Sequence, residues 1–181
     1  MSEIWHISDH HLGHANILKF TDGDGKVTRP GFRDLEHMHH VMVERHNARV
    51  TPQDKVYFHG DVAWKVDALQ RVLPLMNGKK RLILGNHDTL DVGLYRKHFK
   101  KVLAWRQFTH DDCAIVCTHF PLHKSSFLGR FPGACLNVHG HIHCRVINDP
   151  SYRNVCVEQT DYTPVNHDVL VAAARRLREA A

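Results

Sequence analysis

Lys55-Val56-Tyr57-Phe58-His59-Gly60-Asp61 is a short apolar and aromatic stretch that ends directly in a histidine, a glycine and an aspartate. Residues of the first kind build strands. The same arrangement, a short apolar run stopping in groups that can bind a metal, occurs four more times: Ile7-Ser8-Asp9, Leu84-Gly85-Asn86-His87-Asp88, Cys117-Thr118-His119 and Val138-His139-Gly140-His141-Ile142-His143. In open α/β sheets the carboxyl ends of the strands line a common edge, and the loops beyond them form the ligand crevice. Clusters spread from Asp9 to His143 can therefore meet at one site.

The spacing supports convergence. In extended chain, residues two apart point the same way, so Asp9 with His11, and His141 with His143, can each aim two donors at one place. Glycine at 60, 85 and 140 permits the tight backbone such turns need. Neutral imidazole, carboxylate and one carboxamide suit borderline to hard divalent ions and do not suit copper(I). Two cations held close together repel, so a two-metal site needs a shared anionic ligand, and Asp61, between the Asp9 and Asn86 clusters, is the natural bridge. Such a pair sits about 3.5–4 Å apart and clamps a phosphate.

Outward from these motifs, strands are expected over Ile4 to Ser8, Lys55 to His59, Arg81 to Leu84, Val102 to Phe108, Ala114 to Thr118, Cys135 to Val138 and Asn154 to Val157. Helices are expected from Leu35 to Val50 with Asp34 as N-cap, from Asp67 to Met76, and after Pro164 and Asn166, where Val169, Leu170, Ala173, Ala174 and Leu177 form one stripe. Strands alternating with helices indicate a mixed α/β fold rather than a bundle or an all-β sandwich. The segments Thr21 to Arg33 and Pro121 to Gly133, rich in glycine and proline, read as loops around the site.

The 181 residues fit one ordinary domain, and 43% hydrophobic content can fill its core. Five cysteines, odd in number and with no pair spaced two apart, indicate a reducing cytoplasmic setting. The start MSEIWHISDH carries no basic segment followed by an apolar run, so neither an export signal nor a membrane anchor is expected. A net charge of +5 tolerates an anionic partner, though scattered charge on a solvated surface is the simpler account of it. The unusual figure is 18 histidines, several times the usual frequency and without a polyhistidine run.

Asp9-His10-His11, Gly60-Asp61, Gly85-Asn86-His87-Asp88, His119 and Gly140-His141-Ile142-His143 together resemble, in order, the five motifs of calcineurin-like metallophosphoesterases. The opening SDHHLGHANIL is similar to that of small bacterial and phage members. The resemblance implies a four-layer α/β/β/α sandwich of two mixed sheets with flanking helices, and two divalent metal ions, with manganese first and iron, zinc or nickel as alternatives. It implies that Asp9, His11, Asp61 and His143 hold one metal, that Asp61, Asn86, His119 and His141 hold the other, and that His87 is the general acid. Asp88 would orient His87, as carboxylates commonly fix an imidazole. Many members carry a second acid three residues after the bridging aspartate; here that position is Trp64.

The implied activity is hydrolysis of phosphomonoesters or phosphodiesters by a metal-bridging hydroxide. A nuclease or cyclic-nucleotide phosphodiesterase acting on nucleic acid or nucleotides is the main alternative, and a metal-binding protein-interaction scaffold is the alternative of another class. No membrane and no obligate protein partner are implied. His14, Arg29 and Arg130 are the candidate substrate contacts, from the loops around the site, with His10, Arg33 and Lys124 nearby. His6, His59 and His139 stand beside the site as supporting or packing groups. His37, His39 and His40 read as helix surface, and Trp5, Trp64 and Trp105 as core.

Overall fold

The computed structural model describes residues 2–128 and 134–179. In chain order the elements are β1 (Ile4–Ile7), α1 (Leu35–Asn47), β2 (Lys55–Phe58), α2 (Val66–Val72), β3 (Lys79–Ile83), α3 (Val92–His98), β4 (Lys101–Leu103), β5 (Arg106–Thr109), β6 (Ala114–Cys117), β7 (Ala134–His139), β8 (Tyr152–Asn154), β9 (Val165–Asn166) and α4 (His167–Glu179). They build two mixed sheets with the orders β4-β3-β2-β1-β9 and β5-β6-β7-β8. In the first, β9 alone runs antiparallel; in the second, β5 does.

Strand alternation splits the core in two. Ile7, Val56, Phe58 and Leu82 face Met38 and Met42 of α1 and Leu69 and Val72 of α2. Tyr57 and Ile83, on the opposite face, meet Ile115, Leu136 and Val138 of the second sheet. Leu170, Val171 and Ala174 of α4 complete that inner cluster, and α4 packs against β6 and β7 while reaching β1 and β9. The result is the expected α/β sandwich with flanking helices. Among the described residues no helix is long and apolar enough to cross a membrane.

Several boundaries differ from expectation, each for a physical reason. Val102 to Phe108 is two strands: the chain leaves the first sheet after β4 and enters the second at β5, and an unbroken apolar pattern cannot register that crossing. α2 stops at Val72 because Pro74, which lacks an N–H, forces Leu73–Leu75 into a 3-10 turn. The last predicted strand begins two residues early, at Tyr152. Beyond it Val155 still bonds His139 while Val157 bonds Ser8, so residues 155 to 157 stitch the second sheet to the first. In α1, Asp34 caps as expected, its carboxylate accepting from His37 N at 2.7 Å. His39 and His46 are buried with Met38 and Met42, so His39 is not helix surface.

A file of four histidines runs between the sheets. His59 Nδ1 lies 3.1 Å from Thr118 O, which can only accept, so His59 carries its proton there and its Nε2 accepts from His6 Nδ1 at 2.9 Å. His6 Nε2 in turn accepts from His167 Nδ1 at 3.0 Å, and His167 Nε2 faces His110 Nε2 at 3.3 Å. One carbonyl thus sets the tautomer of every ring behind it. Burial first, and the neighbouring imidazoles second, push His6 well below its usual range.

His46, whose Nε2 donates to Asn77 O at 3.0 Å, is lowered by burial to about 4. The unfolded chain protonates this residue near 6.5 and the folded chain resists, so its contribution is full above 6.5 and is lost as pH falls towards 4. The difference in urea-unfolding free energy between the native chain and His46→Gln should therefore shrink over that window, by about 3 kcal/mol at most.

Candidate metal centre

The carboxyl ends of β1, β2, β3, β6 and β7 deliver their motifs to one place. Asp61 Oδ2 lies 3.6 Å from His11 Nε2 and 3.5 Å from His119 Nε2, while Asp9 Oδ1 lies 3.8 Å from His11 Nε2 and 3.7 Å from His143 Nε2. Asn86 Oδ1 is 2.9 Å from His119 Nε2. Two groups able to hold a metal result, Asp9/His11/His143 and Asp61/His119/His141, each with its ligand atoms within 4.8 Å of one another. One oxygen of Asp61 faces both groups; its other oxygen, Oδ1, accepts from His87 N at 2.9 Å.

The lone pairs fit cations. Nδ1 of His119 donates to His59 O at 2.7 Å, so in the neutral ring Nε2 presents a lone pair to two further acceptors, Asn86 Oδ1 and Asp61 Oδ2. Acceptors aimed at one another repel unless a cation lies between them. Asp9 Oδ1 and both nitrogens of His11 are buried with no hydrogen-bond partner, where polar atoms are normally satisfied. Burial raises the Asp9 carboxyl, but the imidazoles of His11, His143 and His119 outweigh it and hold the group far below the usual carboxylate range. A third possible group, His6/His59/Cys117, differs: its ring nitrogens are already paired along the histidine file.

Backbone strain is concentrated here. Asp9, His11, Asp61, His141 and His143 have φ of 61°, 51°, 53°, 71° and 49°, and among the described residues only Asp161 and Tyr162 are further non-glycine cases. Left-handed backbone costs such residues energy and persists where the surroundings enforce it. Asp9 N bonds Gly60 O at 3.1 Å, His11 N bonds Asp61 O at 2.9 Å and His141 N bonds Asp9 Oδ2 at 2.9 Å. A Cβ on Gly140 would overlap Ser8 Oγ and Asp9 Oδ2, and one on Gly85 would overlap Asp61 Oδ1, so both glycines admit the carboxylates rather than bend the chain.

Asp88 and Arg29 depart from expectation. Asp88 does not orient His87: its Oδ2 accepts from the N–H groups of Asp61 and Gly85, both at 2.8 Å, and its Oδ1 from Val62 N at 3.0 Å and Tyr95 OH at 3.4 Å. It binds the Asp61 turn to the Gly85 turn, and burial raises its pKa despite those donors. Arg29 does not face substrate: it is buried, donates to the carbonyls of Asp9 and His10, and pairs with Glu158 at 2.7 Å. Its loop residue number suggested the rim, but the guanidinium turns inward beneath the strained turn at Asp9. Arg130 lies outside the described residues.

Around the mouth, His87 is exposed and His14 half-buried. Trp64, which is 45% exposed rather than core, packs against both at a tilt, its ring 4.3 Å from that of His14 and 5.0 Å from that of His87. His87 also lies 5.5 Å from the ring of His11. His10 is buried against Phe58 instead of at the rim, and Lys124 is tied to Asp149.

The residue missed from the sequence is Glu158. Its buried carboxylate accepts from His143 Nδ1 at 2.9 Å and from Arg29 Nε at 2.8 Å. Burial raises it, yet Arg29 and His143 hold it below its usual range; the same contact raises His143 against the lowering effect of burial. The signal was available, because Val155-Cys156-Val157-Glu158 is one more apolar run ending in an acid.

A protein of Methanocaldococcus jannaschii, the uncharacterized MJ1445, is 31% identical over 181 residues, covering 94% of this chain and 90% of that protein. The chain belongs to the MJ1445 family. The Gene 66 protein of Mycobacterium phage D29 is 36% identical over 93 residues, 49% of this chain and 41% of its own length. Among solved structures, AQ665 of Aquifex aeolicus, a protein of unknown function, shares the fold with a TM-score of 0.72 at 22% identity, covering 95% of this chain and 99% of its own. No family model matches the chain.

Glu158 keeps Nε2 of His143 free for a ligand by accepting at Nδ1, the usual service of a carboxylate behind a metal-binding histidine. Glu158→Gln should weaken metal binding about 10–100-fold in a chelator-competition titration. It should also lower thermal stability, because Arg29 keeps its buried charge without a counter-charge.

Proposed function

We propose that this chain is a dinuclear-metal-dependent phosphoesterase of one domain, hydrolysing phosphomonoesters or phosphodiesters. The observation that carries this reading is the single oxygen of Asp61 facing His11 on one side and His119 on the other. It is the arrangement two divalent ions need in order to sit close together despite their repulsion. Asp9, His11, His143 and Asp61 would hold one ion; Asp61, Asn86, His119 and His141 the other. Manganese is the first candidate, with iron, zinc and nickel behind it, since imidazole–carboxylate sets accept all of these. When bound, the pair supplies Lewis-acid charge for phosphoryl oxygens and lowers the pKa of a coordinated water.

The chain's own groups do the rest. His87 is exposed at the mouth, its backbone tied to Asp61 Oδ1 and its ring braced by Trp64 and His11, so its imidazolium can protonate the departing alkoxide. Asp88 holds the two turns that carry Asp61 and Asn86 at a fixed separation. His14, behind Trp64, limits where a substrate can lie. Of the loop cations near the site, Arg29 is committed to Glu158 and Lys124 pairs with Asp149 at the surface. The free thiols Cys117, Cys144 and Cys156 fit a reducing setting.

His87→Ala should keep both metals by elemental analysis and lose about 10²–10⁴-fold in turnover of alkyl phosphoesters. Its loss on p-nitrophenyl esters, whose leaving group needs little protonation, should be much smaller. Undiminished alkyl-ester turnover in that variant would remove His87 from the mechanism. Asp61→Asn, by contrast, should disturb the occupancy of both metal positions. Protein stripped and reloaded with each candidate metal, assayed on p-nitrophenyl phosphate and bis-p-nitrophenyl phosphate, tests the reading as a whole.

A further inference from the structure

Beside the metal centre lies a cleft of about 690 Å³, within the usual range for small-molecule sites. Leu84, Trp105, Val116, Phe120 and Leu122 form most of its wall, and His119 closes it on the side of the centre. Phe120 joins the two directly, its ring 4.9 Å from that of His119 and 4.6 Å from that of His141. Trp105 and Phe120 are 51% and 47% exposed, so two large aromatic side chains lie partly exposed at the edge of a candidate active site.

The chemistry of the wall is selective. Apart from His119, none of its described lining residues is ionisable, and the Thr118 hydroxyl is already used on Phe120 O at 2.7 Å. Among the described lining residues there is no lysine or arginine to meet a polynucleotide's phosphates, and a bare phosphomonoester would leave the cleft empty. The position is selective too. His87 stands with His11, His14 and Trp64, whereas the cleft opens beside His119 and His141. A phosphodiester placed between them has its leaving oxygen towards His87 and its other ester arm towards the cleft.

We propose that the preferred substrate is a phosphodiester whose non-leaving alcohol is a bulky aromatic or apolar group, seated between Trp105 and Phe120. This rests on the phosphoesterase reading above and adds to it the substrate class. The part of the substrate that departs is unrestricted by the cleft; the part that remains on phosphorus is selected by it.

The test uses two diesters with one leaving group, methyl p-nitrophenyl phosphate and phenyl p-nitrophenyl phosphate, with manganese-loaded full-length protein. The phenyl ester should have a kcat/KM at least tenfold higher, mainly through KM. Trp105→Ala, and independently Leu122→Ser, should bring the ratio of the two esters close to one. In parallel, calorimetry compares diphenyl phosphate with dimethyl phosphate, and the same at-least-tenfold preference, lost in Trp105→Ala, is expected. Equal kcat/KM values together with equal binding would overturn the proposal. Selective, Trp105-dependent binding without hydrolysis of either ester would leave the cleft assignment standing and remove the phosphoesterase reading. Trp105-dependent self-association in sedimentation, without discrimination between the phosphates, would make this face a contact between copies of the chain and would likewise overturn it.

Discussion

The Asp61 carboxylate is the constraint on which the rest of the site depends. One of its oxygens faces both groups of candidate ligands, and the other is pinned by His87 N. Its own N–H is held by Asp88, and its backbone sits in the left-handed region. To place one carboxylate between two imidazoles, the chain must turn sharply after β2, receive the β3 turn within van der Waals range, and have no side chain at Gly85. The parallel order β3-β2-β1 puts Asp61 at the centre of the first sheet's edge, with the second sheet's histidines across from it.

Support comes from beneath rather than from the rim. The buried Arg29–Glu158 pair grips the carbonyls of Asp9 and His10 and the Nδ1 side of His143, joining the β1 turn to the β7 turn by one ionic contact. A buried pair of this kind is costly to desolvate, and breaking it leaves an uncompensated charge. Its value here is geometric: it holds two strained segments that a hydrophobic pair could pack but could not orient. Residues 155 to 157 reinforce the same junction with backbone bonds to both sheets.

The excess of histidine turns out to have three uses. His11, His119, His141 and His143 bring ring nitrogens to the candidate centre. His6, His59, His110 and His167 form the file between the sheets, where mutual hydrogen bonds satisfy the buried ring nitrogens of His6, His59 and His167. His39 and His46 act as amphipathic core residues of α1, each spending Nε2 on a single backbone group, Gly13 N and Asn77 O. The second use supports the first, since His59 O is what fixes the tautomer of His119.

Sequence alone determined the ends of β1, β2, β3, β6 and β7, because each apolar run stops in a polar motif, and the α/β alternation, because strand and helix periods differ. It also supplied the candidate donors, since Asp9, His11, Asp61, Asn86, His119, His141 and His143 are local features of those motifs. Other features were decided only in the folded chain. Arg29 and Glu158 are 129 positions apart and meet through tertiary packing. Asp88 neighbours His87 in the chain yet serves the Asp61 turn, because adjacent side chains leave a sharp turn in different directions. The switch from β4 to β5 between sheets, and the exposure of Trp64 and Trp105, follow from which faces the sheets cover. Periodicity records how apolar a segment is; it does not record what lies on the other side of it.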